Sequence, residues 1–134
     1  MVVLPADDPL LERRSIRLGA LAERRWIHFA PGHGLAAVID FCCASAGFAP
    51  RVAVRTSQVP AAARFAATGL GPTLMPEHTI PEGLREFARA AAPPITRSVV
   101  AFTRTEWTPL TDAFLETLRT YQWRSKPRRA IDLG

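Results

Sequence analysis

Short apolar runs alternate with longer amphipathic stretches between residues 26 and 75. Trp26-Ile27-His28-Phe29-Ala30 leads into the turn Pro31-Gly32-His33-Gly34 and then a stretch to Ala46. There Leu35, Val38, Ile39, Cys42 and Ala46 recur at the spacing of one helix face. A second apolar run spans Arg51 to Arg55, and Ser57 stands as N-cap of a helix from about Gln58 through Thr68. That helix would turn Val59, Ala62, Ala63 and Ala66 to a sheet and stop at Gly69, before a third run from Pro72 to Met75. Strand, helix, strand, helix, strand predicts a Rossmann-like βαβαβ unit of an α/β fold. Its strands would be parallel, because short runs buried on both faces need crossover helices to cover them.

The flanks complete this unit. Met1 to Leu4 is β-like and ends at Pro5; Ala6 to Arg17 is polar and turn-rich, and Leu18 to Arg25 suits a short helix. Glu82 to Ala92 is helical on propensity and closes at Pro93-Pro94. Ser98 to Thr103 carries a strand pattern. Thr108-Pro109 is an N-cap with proline at the first helical position, opening a helix with Leu110, Phe114, Leu115, Leu118 and Tyr121 on one face.

The helix from Gly34 to Ala46 is apolar on more than its sheet face. Ala37, Phe41 and Cys43 extend the stripe around it, and only Asp40 and Ser45 are frankly polar. Such a helix calls for two partners, its own sheet and a second surface. Gly47, then Phe48 and Pro50, forms a left-handed stop with a hydrophobic residue folding back.

Composition narrows the class. With 48% hydrophobic and 22% charged residues over 134 positions, the chain is an ordinary soluble domain. No apolar run reaches the roughly 18 residues of a membrane span. The N-terminal residues lack the pattern of a secretory signal, so a cytoplasmic protein is expected. The net charge of +5 falls to +2 without residues 124–134, where Arg124, Lys126, Arg128 and Arg129 face only Asp132. The basic balance therefore says little about nucleic acid. Cys42 and Cys43 are adjacent, a poor geometry for a disulfide and too few ligands for zinc.

Candidate chemistry lies where strands end and helices begin. Pro31, Gly32, His33 and Gly34 form one such corner; Thr56, Ser57 and Gln58 form another. Both suit a small anionic or carboxylate-bearing ligand held by N–H groups and the helix dipole. Ser57 is a cap or a contact, His33 a contact or a solvated loop residue, and His28, inside a strand, a hydrogen-bonded structural residue. Neither a Walker A loop, a complete GxGxxG nor GxSxG is present, Cys42 lies mid-helix, and no paired carboxylates mark a strand end. Catalysis, a metal and a cofactor are thus not expected.

Ordered blocks carry a family resemblance. They are Val2-Val3-Leu4-Pro5-Ala6-Asp7-Asp8-Pro9-Leu10, Trp26-Ile27-His28-Phe29 with its Pro-Gly-His-Gly turn, and Ala46-Gly47-Phe48-Ala49-Pro50-Arg51. Thr56-Ser57 and Gly69-Leu70-Gly71-Pro72-Thr73-Leu74-Met75-Pro76 follow. In that order the chain resembles the C-terminal effector-binding (substrate-binding) domain of LysR-type transcriptional regulators, out to Tyr121. The resemblance implies a type 2 periplasmic-binding-protein-like fold, two α/β lobes with a small effector in the cleft.

On that pattern, about 21–80 would be the second lobe, 1–20 and 81–123 the hinge and partial first lobe, and 124–134 a basic tail. Leu84 to Phe87 would return as a short strand, and this is preferred to the helix given by propensity. Family members begin with a winged helix-turn-helix, a linker helix and the first half of lobe one, none of which precedes these residues. DNA would be bound only through that missing N-terminal domain, and the effector cleft would be incomplete. The resemblance also implies a homodimer through the helix at Gly34 to Ala46, with Val38, Phe41 and Cys42 at the contact. The expected function is a non-enzymatic effector-sensing module; the alternatives are a solute-binding protein fragment and a stand-alone α/β enzyme.

Overall fold

The computed structural model describes residues 1–97, 100 and 108–121. The chain divides into two units, Met1–Arg97 and Ser98–Gly134. In the first, β1 (Val2–Val3), β2 (Ser15–Arg17), β3 (Arg25–Phe29), α1 (Gly34–Ser45), β4 (Arg51–Thr56), α2 (Val59–Phe65), β5 (Thr73–Leu74) and β6 (Ala88–Ala92) follow in order. In the second, α3 (Pro109–Thr120) begins at Thr108, whose hydroxyl oxygen accepts from the Thr111 N–H at 3.2 Å. Capping by threonine before a proline at the helix start is as expected. The strand expected over Ser98 to Thr103 lies outside the described residues but for Val100, and so does the basic tail.

β3 and β4 form a parallel pair, while a second sheet has the order β2-β6-β1-β5. β1 is antiparallel to both β5 and β6, and β2 runs parallel to β6. The anticipated third parallel strand of the βαβαβ unit is therefore corrected: the third run pairs with β1, Val2 opposite Leu74 and Val3 opposite Thr73. The Pro72 carbonyl reaches β3, accepting from the Ile27 N–H at 2.9 Å. Pro72 has no N–H to continue a ladder. Gly71 just before it, at φ +135, lets the backbone lie against Arg25.

The core joins both sheets to the two helices. Val2, Val3 and Leu4 of the first run, Trp26, Ile27 and Phe29 of β3, and Ile39 and Cys43 of α1 are fully buried. Each large apolar side chain among them contributes about 1.5–3 kcal/mol by leaving water. Trp26 keeps its indole N–H satisfied by the Leu21 carbonyl, 3.2 Å away, and packs obliquely on Phe48. That bond and the Arg24 N–H to Leu21 bond hold a tight turn over Leu18–Leu21. The helix expected to run on to Arg25 stops there, because Arg25 already belongs to β3.

Three further expectations change. The inward face of α1 is Leu35, Ala36, Ile39 and Cys43; Val38 and Cys42 are half-buried and Ala46 is an exposed C-cap. The N-cap of α2 is Gln58 rather than Ser57. A cap at Ser57 would put Pro60 at the third helical position, with no N–H to offer the serine oxygen. Finally, Glu82–Phe87 forms a 3-10 helix and the strand begins only at Ala88. The short strand thus lies just after Leu84 to Phe87, and the predicted helix covers only the first half of its span.

Candidate functional site

β3 and β4 end level with each other. Phe29 stands opposite Thr56 in the ladder, and the Ala30 N–H donates to the Thr56 carbonyl at 3.0 Å. The two candidate corners therefore leave the same sheet edge: Pro31 to Gly34 from β3, Thr56 to Gln58 from β4. Pro31, Gly32, Gly34, Ser57 and Gln58 are exposed, while His33 and Thr56 are half-buried. Gly32 takes φ +84, which a side chain would resist, so the turn can drop directly into α1.

Much of the donor capacity at the first corner is used internally. His33 caps α1: its Nδ1 accepts from the Leu35 N–H at 3.2 Å and its carbonyl from the Ala36 N–H at 2.9 Å. Its ring stacks on Phe29 with centroids 4.6 Å apart, so the solvated-loop alternative is set aside. Among the described residues no acceptor meets the Gly34 N–H. At the second corner, Thr56 Oγ1 accepts from the Gln58 N–H at 3.1 Å, which leaves its own O–H to donate. Ser57 makes no side-chain bond to a described residue.

Just below this edge lies a polar cluster that sequence reasoning did not assemble. His28 is buried, its Nε2 lies 3.1 Å from Asp40 Oδ1, and Arg55 Nη1 approaches its Nδ1 at 3.3 Å. A carboxylate only accepts, so Nε2 donates to Asp40, while Nδ1 lies 3.0 Å from the Phe29 carbonyl oxygen, closer than it lies to Arg55. Arg55 Nη1 also donates to the Phe29 carbonyl at 3.3 Å, tying β4 to the last residue of β3. The available signal was a histidine inside an apolar strand and a single acid on the helix that follows it.

Elsewhere the reactive groups are held quiet. Burial pushes the Cys43 thiol up to about 12, helped by Cys42 and Asp40, and burial also raises Cys42. No group of histidine, cysteine and acidic residues able to hold a metal occurs among the described residues. No helix there is long and apolar enough to cross a membrane. On α1, Phe41 is 73% exposed beside a groove of about 350 Å³ that Cys42, Ser45, Pro93, Pro94 and Ile95 also line.

Comparison with known proteins follows the same outline. The LysR substrate binding domain family matches residues 1–123. The uncharacterized HTH-type transcriptional regulator YybE of Bacillus subtilis (strain 168) is 33% identical over 76 residues, covering 57% of this chain and 26% of YybE. The transcriptional dual regulator GltC of the same organism is 29% identical over 85 residues, covering 63% of this chain and 28% of GltC. The chain thus spans about a quarter of the length of these relatives. The C-terminal domain of a probable LysR family transcriptional regulator from Rhodococcus sp. RHA1 is 37% identical, with a TM-score of 0.51, over 57% of this chain and 39% of that one. The effector binding domain of QuiR, solved with shikimate, superposes with a TM-score of 0.65 over 86% of this chain and 56% of that one; at 21% identity the likeness is one of fold.

Proposed function

Because the chain belongs to the LysR substrate-binding domain family, we propose that it senses a small carboxylate effector at the shared edge of β3 and β4. Its α/β fold is of the type 2 periplasmic-binding-protein kind, in common with the effector-binding domains it resembles. The observation that carries the proposal is the level ending of the two strands, Phe29 opposite Thr56. The turn that carries Gly34 and the corner of Thr56 and Ser57 thus leave one sheet edge. Donors without internal acceptors at the end of parallel strands suit an oxyanion. That the related QuiR domain was solved with shikimate, a carboxylate, supports this ligand class.

In this reading the domain is a sensor and not an enzyme. Its thiols are held protonated and the His33 Nδ1 is committed to a helix cap, so neither is poised as nucleophile or base. Residues 21–80 make one lobe, with 1–20 and the segment after 80 leading to and from the other. DNA is reached through an N-terminal domain such as the HTH-type name of YybE implies, and the site of action is the cytoplasm. Two copies associate through α1, where the exposed Phe41 and its adjoining groove await an apolar partner.

Calorimetric titration with shikimate and benzoate tests the ligand assignment. Removing the two rim hydroxyls, Thr56→Val with Ser57→Ala, should weaken binding about tenfold, the worth of one or two hydrogen bonds. Unchanged affinity in the double variant would count against this edge as the site.

A further inference from the structure

We propose that Arg55 is the carboxylate-reading residue of this site, held ready by the Phe29 carbonyl; the inference rests on the effector reading above. Among the described arginines that make side-chain bonds, Arg24, Arg51, Arg85 and Arg119 each meet a carboxylate. Arg89 spends Nε and both Nη1 donors on the carbonyls of Leu11, Glu86 and Ala88. Arg55 differs from these: Nη1 meets the His28 imidazole and the Phe29 carbonyl, and no described residue accepts from Nε or Nη2. Its positive charge therefore has no acid partner, and part of its donor fork is unused.

Position gives that spare capacity a use. Arg55 is exposed and immediately precedes Thr56, and its Nη1 lies 3.3 Å from the carbonyl of Phe29, the last residue of β3 before the Pro31 to Gly34 turn. The guanidinium is thus fixed at the edge where the two corners open. Nη1 donates to the Phe29 carbonyl, which His28 Nδ1 also approaches, at 3.0 Å. A donor held this way loses little freedom on meeting a ligand, and a guanidinium matches the geometry of a carboxylate. Arg55 is the specificity contact, and the Phe29 carbonyl positions it.

The test compares each acid with its primary amide, shikimate with shikimamide and benzoate with benzamide, by calorimetry on the whole chain and on Arg55→Gln. The wild-type chain should prefer the acid, and Arg55→Gln should lose acid affinity by about 10- to 100-fold, with amide affinity hardly moved. Equal binding of acid and amide by the wild-type chain would overturn the role of Arg55 while leaving an effector at this edge. Acid affinity unchanged in Arg55→Gln would overturn it too. Binding of none of these probes would remove the inference together with the effector reading. Thermal melts accompany each variant. Should the glutamine variant fail to fold, Arg55→Lys, with a charge but no fork, should still show a roughly tenfold loss confined to the acids.

Discussion

His28 and Asp40 are joined across the interface between β3 and α1, the ring Nε2 3.1 Å from the carboxylate, although the imidazole is buried and the acid side chain is 62% exposed. The bond satisfies a buried donor with an acceptor that water also reaches. Asp40→Ala should therefore cost only about 1 kcal/mol, since water can take part of the vacated place. His28→Ala should cost more, about 2–3 kcal/mol, because it opens a cavity against α1 as well. Urea melts of both variants check the order; an equal loss would mean that the bond, and not the packing of the ring, carries the stability.

Gly71 bears a constraint of a different kind. At φ +135 it sits in backbone space that only glycine occupies readily, and a Cβ there would fall 1.8 Å from the Arg25 carbonyl oxygen. Both partners are backbone, so no side chain can swing aside. Gly71→Ala should destabilise the unit by 3 kcal/mol or more, on the order of one strained residue plus a steric shift. Gly83→Ala is the control, as its Cβ would meet nothing within 4 Å and its φ is ordinary. Similar melting temperatures for the two variants would show that the strand approach at Gly71 relaxes freely.

The sequence made some of this legible and hid the rest for identifiable reasons. The helix from Gly34 could be read because its apolar period is long and Gly47 ends it locally, with φ +88 and the Phe48 N–H returning to the Cys43 carbonyl at 3.1 Å. Periodicity alone chose Cys42 over Cys43 for the inner face, since adjacent residues of one type differ only by which way the helix is rotated on its sheet. Ser57 has the side chain of a cap, but Pro60 leaves it no N–H at the third helical position, and the cap is Gln58. The third run was apolar enough for a strand, but its partner depended on a turn at Gly71 and on pairing with Val2 and Val3, some seventy residues away. Of the site, both corners were visible, since strand ends and turns are local. The link from Asp40 through His28 to Arg55 was not, because it spans separations of 12 and 27 residues.

The cysteines give a prediction with a pH sign. Cys43 moves from an ordinary 9.0 to about 12 in the fold, so above pH 9 the unfolded chain releases a proton that the folded chain retains. Its contribution to stability is present below pH 9 and is lost progressively as pH climbs toward 12. Cys43→Ala should flatten that alkaline decline in denaturant melts. At pH 8, iodoacetamide should label half-buried Cys42 slowly and leave Cys43 untouched until urea opens the fold. Labelling of Cys43 at the rate of a free thiol would contradict its burial.

Phe41 separates association from folding. The ring is 73% exposed, so the folded unit gains little from it, whereas Ile39, two residues earlier on α1, is fully buried. An exposed aromatic at the centre of an interface commonly carries 2 kcal/mol or more of binding, roughly a thirtyfold change in dissociation constant. Light scattering coupled to size exclusion, over a concentration series, should thus show a dimer for the wild-type chain and a monomer for Phe41→Arg. Circular dichroism and melting temperature should be unchanged, because arginine at that position stays in water. Ile39→Arg should instead abolish folding, burying a charge without a partner. A dimer that survives Phe41→Arg would move the contact off this face of α1, and a wild-type monomer at every concentration would remove the homodimer from the proposal.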